Sequence, residues 1–204
     1  MLFEDTYLTI TQPGEGVFRD RGSKFMAFAY PIHSEQDIKA IVAKLKGEHP
    51  KANHHCWALR LSPDRSVFRI NDDGEPSGTA GRPILNTLLS QNLTNIAVVV
   101  VRYFGGTLLG VPGLINAYKV ATEEALKSVK VVEKTVNDVY LVSFNYLQMN
   151  DVMKIIKSEN LNITEQQFDT DCHIKIEVRK SQVEKIMSLL QHITGIKIKW
   201  VSTL

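Results

Sequence analysis

The chain is short of most things that would betray a function. Its two cysteines, Cys56 and Cys172, are too few and too far apart for a disulfide framework or a CxxC metal site. Both are expected to be buried thiols. No apolar run approaches the roughly 20 residues that cross a bilayer; the longest, IAVVVV at 96–101, has the length of a buried strand. The opening MLFEDTYLTI lacks the basic-then-apolar order of a signal peptide, so a cytosolic (cytoplasmic) address and no membrane partner are expected. An excess of either charge is missing too. Residues 1–133 carry 15 basic and 14 acidic side chains and residues 134–204 carry 9 and 8, for a net charge of +2. Neither part is basic enough to argue nucleic-acid binding from charge.

Familiar sites are absent as well. GGTLLGVPG has no Lys-Ser/Thr after its last glycine and lacks GxGxxG spacing, so neither phosphate-binding template applies. Asp72 and Asp73 are adjacent rather than alternating, which excludes an EF-hand. No Ser-His-Asp order, GxSxG elbow or HExxH helix occurs. No metal and no cofactor is expected.

What remains is a mixed pattern in two parts, ordinary at 44% hydrophobic and 23% charged residues. In the last third, the strand-like VNDVYLVSFN (136–145) precedes a helix with Met149, Val152, Met153 and Ile156 at helical spacing, stopped near Asn160. Strands follow near 163–169 and 173–179, then a helix capped by Ser181 that buries Val183, Ile186, Met187, Leu190 and Ile193. Ile196, Ile198 and Trp200 alternate in a closing strand. The order βαββαβ is the ferredoxin-like pattern. Earlier in the chain, strands are predicted near 6–11, 15–20 and 24–31, then a helix capped by Ser34 and stopped before Pro50. Strands at 54–61 and 66–71 pair around Ser62–Pro63–Asp64. A helix near 79–90, the buried strand NIAVVVVRY and a helix opened by Pro112–Gly113 complete this part, the last showing Leu114, Ala117, Tyr118, Ala121 and Ala125 on one face. The pattern changes near 131–136, which sets expected domains of 1–132 and 133–204. The fold class is α+β.

Two glycine-laden connections, NDDGEPSGTAGRP (71–83) and VRYFGGTLLGVPG (101–113), stand out at strand-to-helix transitions, where ligands are often held. The first offers Asp72, Asp73 and Glu75 with the hydroxyls of Ser77 and Thr79. The second offers Arg102, Tyr103, Phe104, Gly105 and Gly106. The acids suit a divalent ion; equally, they suit capping the next helix and pairing with arginines. Five of the eight arginines (60, 65, 69, 82 and 102) fall between 60 and 102 with no lysine among them, which signals a nearby carboxylate or phosphate. Arg82, His54 and His55 are further candidates. Neighbours on a strand face opposite ways, so the two histidines cannot share an ion; one is expected inward and the other at the surface. Tyr103 and Phe104 could stack on bases or sit in the core. The spatial expectation is that the two connections meet, with Arg102 opposite one of the acids.

These stretches carry a resemblance. DDGEPSGTAGRPIL followed after about ten residues by VVVVRYFGGTLLG, with HHCWALRL ahead of it, resembles the signature of the YigZ/IMPACT family over essentially the full chain. The matching positions are Asp72, Asp73, Gly74, Glu75, Pro76, Gly78, Thr79, Gly81, Arg102, Tyr103, Phe104, Gly105, Gly106, Gly110 and Gly113. Pro112 departs from the glycine that many members have there, and removes one N–H from that turn. The resemblance implies an IMPACT-type first domain similar to a ribosomal protein's second domain and to domain IV of elongation factor G, then a ferredoxin-like domain similar to others of that factor. It also implies a role in translation, because eukaryotic relatives regulate it by contacting a protein that activates a stress kinase. The expected function is thus a translation-associated binding or regulatory protein that recognises RNA, the ribosome or a translation factor through the surface of 71–83 and 101–113. The alternative is a metal-dependent hydrolase or phosphate-ligand enzyme using the same surface.

Overall fold

The computed structural model describes residues 5–169 and 171–204, which divide into two compact units. One spans Tyr7–Lys134; the other spans Thr135–Leu204 together with Asp5 and Thr6.

The larger unit contains β1 (Thr6–Ile10), β2 (Gly14–Asp20), β3 (Ser23–Pro31), α1 (Asp37–Glu48), β4 (His54–Leu61), β5 (Val67–Asn71), α2 (Gly81–Ser90), β6 (Ile96–Tyr103), α3 (Gly110–Lys127) and β7 (Val131–Thr135). Five strands form one sheet in the order β2-β3-β6-β4-β5, with every neighbouring pair antiparallel. The central strand β6 has no polar alternation because both its faces are covered. Ile96, Val98 and Val100 pack beneath α2 and α3, while Ala97, Val99 and Val101 pack with Ile38 and Leu45 of α1. A short strand, β7, pairs with β1 in a separate two-stranded sheet that the sequence pattern does not signal.

Sheet order explains why the two glycine-laden connections meet. Since β5 and β6 both run antiparallel to β4, they run parallel to each other. Their C-terminal ends, Asn71 and Tyr103, therefore emerge at the edge where His54 begins β4. Close packing of α3 on the sheet depends on Gly16, where a Cβ would stand 2.3 Å from the backbone nitrogen of Ala125.

Helix starts differ from expectation in detail. Ser34 does not cap α1; the helix begins at Asp37, whose carboxylate reaches back to accept from the His33 and Ser34 N–H groups and the Ser34 hydroxyl. That bonding holds the Asp37 carboxyl below its ordinary range. Helix α3 begins at Gly110 and takes Pro112 into its first turn, where a missing N–H is harmless.

The smaller unit contains β8 (Asn137–Asn145), α4 (Met149–Ser158), β9 (Asn162–Phe168), β10 (Asp171–Arg179), α5 (Val183–Gln191) and β11 (Lys197–Thr203). Its antiparallel sheet has the order β11-β8-β10-β9, the ferredoxin-like arrangement. Val142, Ile174, Ile176 and Val178 pack against Val152, Ile156, Ile186 and Leu190. Asn160, at φ 51°, ends α4 with bonds from its own N–H to the Lys157 carbonyl and from Leu161 N–H to the Ile156 carbonyl. Ser181 is not the cap of α5. It sits in a 3-10 turn, Lys180–Gln182, and its side chain bonds Asp5, whose carboxyl is held low chiefly by Arg179. No described helix is long and apolar enough to cross a membrane.

Gly16→Ala is expected to destabilise the protein by about 1–3 kcal/mol, because the added methyl overpacks the contact between β2 and α3. Urea denaturation of the full chain measures this; an unchanged midpoint would contradict the close approach.

Candidate functional site

The three acids of the 71–83 connection do three different jobs. Asp72 caps α2 from a distance: Oδ1 accepts from Ala80 N–H at 3.1 Å and Gly81 N–H at 2.8 Å, and Oδ2 from Gly78 N–H at 2.8 Å. These amides open a helix and would otherwise lack partners. Asp73 extends a strand ladder. Pairing of β4 with β5 starts at Trp57–Asn71, so the His55 N–H lies beyond the end of β5, and Asp73 Oδ2 accepts from it at 2.7 Å. The Asp73 carbonyl meanwhile stands 2.8 Å from His54 Nδ1.

Glu75 turns inward. It is 8% exposed, and its Oε1 accepts from Arg102 Nη1 at 2.6 Å and from the Tyr118 hydroxyl at 2.7 Å. His54 Nε2 lies 3.9 Å from the same oxygen. Cys56 Sγ is 3.3 Å from the Tyr118 oxygen and 3.0 Å from the Asp72 carbonyl. Burial pushes both the Cys56 thiol and the Tyr118 phenol well above their ordinary ranges, so both remain protonated donors. Cys172 is buried too, and neither thiol is placed for reaction.

Arg102 is 5% exposed and sits in a row across the sheet, level with Phe25 of β3 and His54 of β4. Its guanidinium lies between two rings, 5.3 Å from the Phe25 centroid and 5.6 Å from that of Phe104. The bond to Glu75 uses one nitrogen, and Nε has no hydrogen-bond partner.

Strand alternation sends Tyr103 to the opposite face, which corrects its expected place in this surface. Its hydroxyl bonds His49 Nδ1 at 2.9 Å beside the α1 cluster. His55 shares that face and is buried, while His54 is the half-exposed member of the pair. Two other candidates also stand apart. Ser77 is exposed and makes no contact with Arg102, and Arg82 lines a separate groove of about 460 Å³ between α2 and α3 with Asn86, Lys119 and Glu123. Thr79 is buried, its hydroxyl donating to the Pro76 carbonyl at 2.7 Å. Gly105 crosses Gly22 so closely that a Cβ would stand 1.9 Å from the Gly22 carbonyl carbon, and Gly106 follows at φ 85°. That crossing, with Gly105 N–H bonded to Ser23 Oγ at 3.1 Å, turns the chain after Phe104.

Glu75, Arg102 and His54 lie at the polar side of a groove of about 470 Å³. Its rim is apolar and unusually bare: Phe104 is 45% exposed, Val111 52% and Leu108 80%. Sequence reasoning missed Leu108, Val111 and Tyr118. Tyr118 was readable only as part of an apolar helix face, although a phenol among alanines and leucines has to find a partner for its hydroxyl. Asn53, whose Oδ1 accepts from Phe104 N–H at 2.8 Å, carried no signal at all.

Arg102→Ala should destabilise the fold by about 3–5 kcal/mol, since it leaves Glu75 buried without its cation; thermal or urea unfolding reads this. His55 supplies a pH dependence. Burial lowers its pKa from 6.5, so the unfolded chain takes up the proton first. Its contribution to stability is full above the unfolded value and is lost as pH falls from there through the folded value. Unfolding midpoints of the wild type and His55→Gln, compared between about pH 7.5 and 5, should show a shallower acid-side decline in the variant.

Residues 21–126 match the Impact N-terminal domain. An IMPACT family member of Haemophilus influenzae is 35% identical over 178 residues, covering 85% of this chain and 86% of that one. The Escherichia coli member YigZ is 33% identical over 154 residues, covering 74% and 76%. A crystal structure described as a hypothetical protein aligns over 98% of this chain and 99% of its own, with a TM-score of 0.74 and 26% identity. A solved protein described as the two-domain translational regulator Yih1 is 30% identical over 63% of this chain and 49% of its own, with a TM-score of 0.36. Signature, profile match and full-length relatives agree: the chain belongs to the IMPACT family.

Proposed function

We propose that this chain is a translation-associated binding protein whose surface at 71–83 and 101–113 recognises a protein component of the translation machinery. The observation that carries this is the cluster of Phe104, Leu108 and Val111, apolar and exposed beside a neutralised ion pair. Contiguous apolar surface of this kind favours protein contact. Kinship with a protein described as a translational regulator supports the process, through shared family and sequence. RNA has less support at this surface. Its arginine is buried against Glu75, and Tyr103 lies on the other face of the sheet, so neither a free phosphate grip nor a pair of stacking rings is presented. The hydrolase alternative loses its motive, because Asp72, Asp73 and Glu75 are spent on separate partners and do not converge.

Co-sedimentation of the tagged full chain with ribosomes and translation factors from extract tests this. Leu108→Asp should abolish it without lowering stability, since the side chain is largely in solvent. Co-sedimentation that survives Leu108→Asp but disappears with nuclease or salt would point to RNA instead.

A further inference from the structure

We infer that the groove beside Arg102 takes one bulky apolar residue of an extended peptide, with Arg102 and His54 reading the main-chain amide of that residue. This occupant rests on the protein-recognition role proposed above and specifies what the partner must offer.

The hydrogen-bonding state of the groove's polar side selects it. Arg102 carries five N–H donors. It spends one nitrogen on Glu75, while Nε stands buried with no partner. A buried donor of this kind is costly to leave unpaired. His54 is oriented by its other nitrogen: the Asp73 carbonyl 2.8 Å from Nδ1 can only accept, so Nδ1 carries the proton. In the neutral ring Nε2 therefore presents a lone pair towards the groove. An unspent donor and an unspent acceptor thus lie side by side in the lining. A peptide group supplies the complementary pair, its carbonyl accepting from Arg102 and its N–H donating to His54.

Charge and shape agree. Glu75 and Arg102 are the two charged residues of the lining, and they cancel. A polyanion would gain nothing from such a floor, whereas a neutral amide is not penalised. Around it stand Pro76, Phe104, Leu108 and Val111, which suit an aliphatic or aromatic side chain. A volume of about 470 Å³ falls in the range of ligand pockets and fits a short peptide segment. Phe104 lies over the guanidinium and is itself half exposed, so its ring must swing outward for a carbonyl to reach Nε.

The test is amide NMR titration of the isotope-labelled full chain with N-acetylated, C-amidated tetrapeptides. These carry Leu, Phe, Gly, Asp or Lys at one central position, with a uridine oligonucleotide as a separate arm. Leu and Phe peptides should shift residues 104–111 and His54, binding about tenfold or more tighter than the Gly peptide. His54→Phe, which keeps the bulk and removes the acceptor, should weaken the Leu peptide about tenfold; Leu108→Asp should abolish binding. Equal shifts with all five peptides, no shifts, or saturation of the same residues by the oligonucleotide would overturn the inference. Co-sedimentation lost in Leu108→Asp with no peptide binding would leave the translation role standing and remove this occupant. Selective Leu or Phe binding in a protein that never co-sediments would do the reverse.

Discussion

A single carboxylate oxygen, Glu75 Oε1, receives both the Arg102 guanidinium and the Tyr118 hydroxyl. Through it the 71–83 connection, strand β6 and helix α3 are tied at one point. A segment with three glycines between 71 and 81 is expensive to order, and nothing in its composition can build a core. It is ordered because each of its acids answers a debt elsewhere. Asp72 satisfies the opening amides of α2, Asp73 the overhanging amide of β4, and Glu75 a buried cation. Removing any one would leave polar groups stranded in a low-dielectric interior.

This arrangement separates structure from recognition within one short stretch. The charged residues that look most functional in the sequence face inward and balance one another. The residues left for a partner are plain apolar ones, Leu108 and Val111, together with the half-covered Phe104. The two sets meet only where Arg102 and His54 keep hydrogen-bonding capacity in reserve. Such a site combines a rigid, prepaired floor with an apolar rim, which fits the anatomy of a protein interface better than that of a nucleic-acid groove.

Much was legible beforehand. Periodicity located the strands and helices of both units and the ferredoxin-like order of the second, because amphipathic spacing is a local property. The meeting of the two glycine-laden connections was expected, and so was an acid opposite Arg102. Which acid was not. Asp72, Asp73 and Glu75 are chemically near-equivalent in sequence, and only the path of the turn assigns them. The caps at Ser34 and Ser181 failed for a similar reason: Asp37 and Asp5 outcompete the backbone for those hydroxyls. Strand β7 was missed because five residues without clear alternation pair only when β1 is beside them.

The sequence by itself determined the alternation that puts Arg102 and Tyr103 on opposite faces of β6, the covered central strand and the family signature, since each follows from neighbours along the chain. Tertiary structure decided the rest. The antiparallel order around β4 brought both connections to one edge, and helix α3 delivered Tyr118 from 43 residues beyond Glu75. Packing also left Leu108 and Val111 in solvent. Burial and hydrogen-bond partnership are properties of what surrounds a residue in space, and the order of the letters does not carry them.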